Sequence, residues 1–255
     1  MIDLLSTDVC GVKINNICFS NFLDVLVDAI EQNRCGYVVT PNVDHIVKLQ
    51  SDPEFKEVYK NALAVIPDGM PLLWAARFFG APLKEKISGS DIFPMVCEVA
   101  VRKKWRIFLL GGREGAAEKS ADVLSKKYSG FQVVGTYCPP FGFELNPIEN
   151  QKIVEMIKEA KPDILFVGLG SPKQEKWIYK YKDQYHVPVS IGIGASFEFV
   201  SGMVKRAPKW MQNVGLEWFW RLIVEPRRLW KRYLIDDPVF FWLVFKQKMG
   251  WLKGE

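Results

Sequence analysis

The amino-acid sequence predicts an α/β protein, a mostly parallel sheet with helices on both faces, followed by a helical C-terminal appendage. Three observations carry this. Short apolar runs alternate with helix-period segments from about residue 36 to residue 193, the pattern of repeated strand–helix–strand units. Several of those runs end in glycine or in a short polar turn, as strands do where a ligand crevice opens at their carboxyl ends. Composition then changes near residue 200. Residues 201–255 hold 11 Lys/Arg against 5 Asp/Glu and six of the nine tryptophans, while residues 1–200 hold 23 against 24. The expected division is a core over 1–200 and a basic, Trp-rich appendage over 201–255.

Element by element, the first 19 residues read as short strands or a hairpin. Asn21 is placed to cap a helix carrying Phe22, Val25, Ala29 and Ile30 on one face and stopping near Gly36. Tyr37–Val39 is a strand, and a short helix follows Thr40–Asn42. Ser51-x-x-Glu54 has the form of a capping box for the next helix. Leu63–Ile66 is a strand, and Pro71 suits the first turn of a helix running to Gly80. Ser88–Gly89–Ser90–Asp91 caps a helix ending near Lys104. Strand Arg106–Leu110, helix Glu114–Tyr128 and strand Gln132–Tyr137 come next. Asn146–Pro147-x-Glu149 opens another helix, then strand Asp163–Val167, a helix from Pro172 and strand Val187–Ile193 close the series.

Composition narrows the function classes. Apolar content of 49% with 25% charged residues is ordinary for a globular protein. The first thirty residues lack the basic and apolar regions of a signal peptide, and the longest late apolar run, Val239–Phe245, is far short of a membrane span. Five cysteines without a C-x-x-C pair argue against a disulfide framework or structural zinc, and His45 and His186 alone do not suggest a His-based metal centre. A reduced, cytoplasmic protein is expected.

Candidate chemistry collects at strand ends. Leu63–Ile66 runs into Pro67–Asp68–Gly69, and Tyr37–Val39 into Thr40–Pro41–Asn42. A carboxylate there can deprotonate a hydroxyl while Thr40 and Asn42 hold a polyhydroxy ligand; alternatively Asp68 belongs to an ordinary Asp-Gly turn. Gly111–Gly112, Gly168–Leu169–Gly170 and Gly192–Ile193–Gly194 end three later strands, where backbone N–H groups and helix N-termini can meet phosphate. None completes a dinucleotide G-x-G-x-x-G fingerprint or a P-loop, which leaves a nucleotide-dependent oxidoreductase as the weaker reading. Ser171–Pro172–Lys173–Gln174 reads as a helix cap, or as Lys173 and Gln174 facing a ligand. Tyr137 is either a platform for a nucleobase or a core ring.

The tail carries Arg221, Glu225, Arg228 and Arg232 on one helical stripe among aromatic residues, with Pro226 breaking it into two helices. Cations beside tryptophan suit a membrane interface, and arginines suit a diphosphate. A packing helix or the interface of a homo-oligomer uses the same residues. The apolar load is too high for a nucleic-acid arm. A non-catalytic membrane scaffold is the alternative to an enzyme.

Thr40–Pro41–Asn42, Ile66–Pro67–Asp68–Gly69–Met70–Pro71, Ser88–Gly89–Ser90–Asp91, Gly168–Leu169–Gly170–Ser171–Pro172–Lys173–Gln174–Glu175 and Gly194–Ala195–Ser196–Phe197 stand in order. Arg206–Ala207–Pro208, Gly215–Leu216–Glu217–Trp218, Arg221 and Glu225–Pro226 follow them. The series, spanning about residues 10 to 235, resembles the WecG/TagA/CpsF family of bacterial glycosyltransferases. The resemblance implies a Rossmann-like core and an inverting transferase that moves a sugar from a UDP-sugar to a polyprenyl-diphosphate-linked sugar such as GlcNAc. Cell-envelope polysaccharide or teichoic acid synthesis is the implied setting. N-acetylmannosamine is the default donor sugar; glucose, galactose, glucuronate and N-acetylmannosaminuronate are other donors in the family. The resemblance also implies an appendage docked on the cytoplasmic face of the membrane, and catalysis without metal or cofactor. It assigns Asp68 as general base, Thr40 and Asn42 beside it, and Gln174 to the active site, overturning the cap reading. Substrate binding falls to Gly111, Gly112, Tyr137, Gly168, Gly170, Lys173 and Ser196, with Arg221, Arg228 and Arg232 meeting the lipid diphosphate. Residues 236–255 lie past the resemblance, and their Phe240–Phe241–Trp242 cluster reads as a further anchor or a packing element.

Overall fold

In a computed structural model describing residues 4–251, the chain opens with an antiparallel hairpin, β1 (Ser6–Val9) and β2 (Val12–Asn15). Helix α1 (Phe19–Glu31) leads to β3 (Gly36–Val39), α2 (Val43–Leu49), α3 (Pro53–Lys60), β4 (Ala64–Val65) and α4 (Met70–Phe78). Then come α5 (Gly89–Lys103), β5 (Arg106–Gly111), α6 (Ala116–Lys127), β6 (Gln132–Tyr137) and α7 (Pro147–Ala160). Strand β7 (Ile164–Gly168), α8 (Lys173–Tyr185), β8 (Val189–Gly192) and α9 (Ser196–Val200) complete the sheet region. The tail forms α10 (Lys209–Asn213), α11 (Glu217–Val224), α12 (Pro226–Lys231), a π-helical turn (Arg232–Asp236) and α13 (Val239–Lys248).

Six strands pair in parallel in the order β4-β3-β8-β7-β5-β6. Both faces are covered, and neighbouring strand residues show it. Tyr37, Val39, Leu110 and Val167 join the core on one face, packed with α2, α3, α7 and α8. Val38, Leu109 and Phe166 join the core on the other, packed with α1, α5 and α6. Strands buried on both sides must be continuously apolar, which is why they read as runs rather than as alternation.

Four helix starts differ from the sequence expectation. Helix α1 begins at Phe19 with Cys18 at the cap, and Asn21 sits inside the first turn. Asp52, not Ser51, caps α3 by accepting from Phe55 N–H (2.9 Å), while Glu54 reaches across to Lys176 (2.7 Å). Ser88 holds the cap position of α5, yet its hydroxyl donates to the Asp91 carboxylate. Pro172 occupies the cap of α8, and the Gln174 side chain turns away from its own helix. In α3 and α8 the expected capping side chain instead meets a distant partner, Lys176 for Glu54 and Gly194 N–H for Gln174.

Pro226 does divide the tail into α11 and α12. Helix α13 returns to the core, where Phe240 and Leu243 are buried. Gln247 there accepts from Cys10 N–H (2.6 Å) and donates to Asp8, and Lys248 Nζ donates to Phe78 O (3.0 Å). Burying two such side chains stabilises by roughly 1.5–3 kcal/mol each, so one face of α13 is a packing element. Its other face, with Phe241, Trp242 and Phe245, is exposed.

Candidate active site

A parallel sheet sends every carboxyl end to one edge, and here backbone bonds draw the loops at that edge together. Asp68 N–H donates to Pro41 O (2.7 Å), fastening the loop after β4 to the loop after β3. Ile193 N–H reaches Val167 O (2.9 Å), and Gly112 N–H reaches Gly168 O (2.7 Å). Gly168 has to be glycine: a Cβ would lie 2.9 Å from Gly194 O and from the Phe197 ring.

A cavity of about 510 Å³ opens over this edge, bounded by the strand-end loops and by α11, α12 and the π-helical turn. Thr40, Asn42, Asp68, Gly112, Gly168, Gly170 and Gln174 line it from the core, and Arg221, Arg228 and Arg232 from the tail. Four residues expected at the ligand do not line it. Gly111 packs against Gly168 and Leu169 in the layer beneath. Ser196 is fully buried and donates to Ile193 O. Lys173 pairs with Glu144 (2.7 Å) and lies over the Phe141 ring. The Tyr137 hydroxyl is held by Glu149 and by Lys152 Nζ (2.7 Å), on the outer strand β6.

Asp68 is where carboxylate chemistry concentrates. Loss of water around it and the Glu217 carboxylate raise its pKa to about 7, against the pull of Lys86. Behind it, Arg206 gathers the SGSD segment and the tail. Its guanidinium meets Asp91 Oδ1 (2.7 Å), the Ser88 hydroxyl (3.3 Å) and Glu217 Oε1 (3.4 Å), and Lys86 lies 3.8 Å from Asp91. Burial opposes the Asp91 charge, but the hydrogen bond and charge of Arg206 hold its pKa below the usual value. Asp91 therefore stays ionised beside an acid that titrates near neutrality.

The Thr40 hydroxyl donates to Gly192 O (3.4 Å), and Gly194 N–H donates to Gln174 Oε1 (3.1 Å). Asn42 Oδ1 accepts from His45 N–H (3.3 Å) and from Arg232 Nη2 (3.2 Å), so one side chain caps α2 and holds the tail. His45 is buried, its pKa driven down to about 3 by desolvation, and it shares a 2.6 Å hydrogen bond with the Tyr59 hydroxyl. It stays neutral.

Glu198 and Arg113 are among the cavity residues that escaped sequence reasoning. Glu198 accepts from Arg113 N–H through Oε1 (2.9 Å), leaving Oε2 buried without a partner. Arg113, from the loop after β5, pairs with Glu225, which also holds Arg228. Glu198 had only a glycine-rich turn nearby as a signal, and Arg113 followed a glycine pair already taken as the feature of interest. Arg221 Nε is buried with no partner, and its guanidinium lies over the Phe199 ring, 5.9 Å from the centroid.

The family model for the glycosyl transferase WecG/TagA/CpsF family matches residues 7–254. The chain belongs to that family. It is 33% identical over 235 residues to an N-acetylglucosaminyldiphosphoundecaprenol N-acetyl-beta-D-mannosaminyltransferase of Bacillus subtilis, covering 91% of this chain and 88% of the relative. An enzyme of the same name from Bacillus spizizenii is 30% identical over 220 residues, covering 86% and 82%. One from Staphylococcus aureus is 26% identical over 243 residues, covering 94% and 92%. This WecG/TagA/CpsF protein is thus a glycosyltransferase, and in the cavity a half-buried carboxylate, strand-end glycines and several arginines converge.

Because Asp68 accepts a proton only when ionised, transfer should rise with pH through about 7. Glu217→Gln removes a repelling carboxylate and should move that rise to lower pH. A kcat/KM profile left in place or moved upward by Glu217→Gln contradicts this electrostatic account.

Proposed function

We propose that the protein transfers N-acetylmannosamine from its UDP-sugar to a polyprenyl-diphosphate-linked GlcNAc, with inversion, in the assembly of a cell-envelope polymer. One observation carries the reading: Asp68, with its raised pKa, shares a single cavity with Thr40, Asn42, Gln174 and the tail arginines. The names of the relatives supply the sugar and the acceptor class.

In this reading the acceptor hydroxyl lies against Asp68, which takes its proton as the oxygen attacks the anomeric carbon. Thr40 and Asn42 hold sugar hydroxyls. The glycosidic bond to the nucleotide breaks as the new bond forms, and negative charge grows on the UDP phosphate. The backbone N–H of Gly170 and the guanidinium of Arg221 meet that charge, so no metal is required of the site. Arg228 and Arg232 meet the diphosphate of the acceptor. Arg228 is half exposed and leaves Glu225 at little expense, since such ion pairs contribute only about 0–1 kcal/mol, while Arg232 is held in place by Asn42, Asp44 and Asp237.

The acceptor's lipid has to remain in a bilayer, which motivates a membrane-facing role for residues 201–255 at the cytoplasmic surface. No helix among the described residues is long and apolar enough to cross a membrane. Helix α11 carries Trp218, Phe219, Ile223 and Val224 yet buries none of its residues. Trp210, Trp230, Leu234 and Ile235 are half exposed or more, and Trp74 of α4 lies against Gly215 and extends the same surface. Apolar area on this scale signals an interaction surface. Flanking Lys and Arg favour anionic lipid.

Purified protein supplied with UDP-sugars and a lipid-diphosphate-GlcNAc acceptor, and read by mass spectrometry, should add one N-acetylhexosamine from UDP-N-acetylmannosamine. Asp68→Asn should lower kcat by about 10²–10⁴-fold, and EDTA should leave turnover intact. Transfer from another donor only, full activity in Asp68→Asn, or an EDTA loss restored by Mg²⁺ would each overturn part of the assignment.

Deleting the tail would also uncover the core beneath Phe240 and Leu243. Substitution is the cleaner test of membrane contact. The triple change Ile223→Ser, Trp230→Ser and Leu234→Ser should abolish sedimentation with anionic vesicles while the fold, followed by circular dichroism, is kept. Undiminished sedimentation would refute a bilayer contact through this surface.

A further inference from the structure

Beside the cavity lies a carboxyl group that the reaction as described does not use. Glu175, in the first turn of α8, is fully buried. Its Oε1 accepts from Gln174 Nε2 (2.7 Å). Its Oε2 has no partner, and neither does the hydroxyl of Ser171, which lines the cavity. Among the described residues no basic side chain pairs with Glu175. Lys48, the one cation acting on it, is engaged by Asp44 (2.8 Å) and by Ser171 O (3.2 Å). From α3 the neutral Tyr59 hydroxyl faces the same region, held by His45.

A fully buried carboxylate with no cation is among the most expensive arrangements a fold can hold, and the usual outcome is a retained proton. Burial accordingly pushes the pKa of Glu175 up to about 7, against the Gln174 hydrogen bond. The neighbouring amide has little freedom. Gln174 Oε1 must face Gly194 N–H, which leaves Nε2 toward Glu175. Gly192 lies so close that a Cβ there would be 2.8 Å from Nε2. An amide nitrogen carries two hydrogens, and with one given to Glu175 the second is available to the cavity that Gln174 lines.

We propose that Glu175 is a positioning residue that works as a neutral acid: Oε1 holds the Gln174 amide with one N–H toward the substrate, and the O–H at Oε2 donates a hydrogen bond to the Ser171 hydroxyl oxygen. The inference rests on the cavity being the transferase site. It adds to that reading a group that acts through Gln174 and not on the substrate. Ionisation of Glu175 reverses that bond, the Ser171 hydroxyl then donating to Oε2 and turning from the cavity, and sets a charge without a paired cation behind the amide, so activity falls as pH rises through that ionisation.

Glutamine at position 175 reproduces the neutral acid, since its carbonyl accepts from Gln174 and its amide donates to Ser171. The test measures kcat and KM against pH for wild type, Glu175→Gln and Glu175→Ala on acceptor-loaded vesicles, with infrared spectra of the same proteins. Glu175→Gln should keep kcat within about threefold of wild type and lose the alkaline fall. Glu175→Ala should lower kcat at least about tenfold with KM little changed, and Gln174→Ala should add little further loss to it. A carboxylic-acid carbonyl band present in wild type at neutral pH should be missing from Glu175→Gln.

Full kcat in Glu175→Ala, a Glu175→Gln protein as impaired as Glu175→Ala, or an unchanged alkaline limb in Glu175→Gln overturns the proposal while leaving the transferase reading intact. Failure of wild type to transfer from any donor overturns the transferase reading instead. The infrared difference then decides the protonation of Glu175 by itself, and its absence refutes the neutral acid.

Discussion

A carboxylate kept from water at the end of a parallel strand is the constraint around which this protein is arranged. Asp68 follows β4, one of the shortest strands of the sheet, and its backbone is pinned to the loop after β3. Desolvation is the largest influence raising its pKa, and the Glu217 carboxylate pushes the same way. Lys86 and Arg206 pull back. One pKa unit is about 1.4 kcal/mol of differential interaction, so charges in a partly dry site move a proton equilibrium readily. A base poised near neutrality is the result, and two of the groups that set it, Arg206 and Glu217, belong to the segment after the sheet.

That dependence explains why the tail is fastened where it is. Arg206 spans from Asp91 to Glu217, Asn42 and Asp44 face Arg232, and Glu225 bridges Arg113 and Arg228. Arg113 and Arg228 are half exposed, so their pairs with Glu225 give alignment more than stability. Buried Leu229, Met211, Phe240 and Leu243 supply the larger share of the holding energy, at roughly 25 cal/mol per Å² of apolar surface. Weak polar latches over a firm apolar base let phosphate groups take the arginines without loosening the arm.

Much of this was legible in the sequence, for identifiable reasons. The sheet reads out because strands buried on both faces need unbroken apolar runs, and Thr40, Asn42 and Asp68 stand out because polar residues directly after such runs have few other uses. Gln174 was harder. Ser171-Pro172-Lys173-Gln174 fits a capping pattern, and only the close approach of Gly194 and Gly192 shows the amide turned into the cavity. Tyr137 and Lys173 look like ligand residues until their distant partners, Glu149 with Lys152 and Glu144, are in place. Glu198 and Arg113 carried no signal, because nothing local marks a side chain whose role comes from strands adjacent in space but not in sequence. Helix α13 shows the same limit: its aromatic run does not reveal which face meets the hairpin.

The central claim is that Asp68 activates the acceptor hydroxyl for one direct displacement at the anomeric carbon. The anomeric configuration of the product, read by nuclear magnetic resonance after transfer from an α-linked UDP-N-acetylmannosamine, tests it most directly. A β-linked disaccharide on the lipid diphosphate is the expected product. An α-linked product would mean two displacements or a different face of attack, and Asp68 could not then be the base of a single-step transfer.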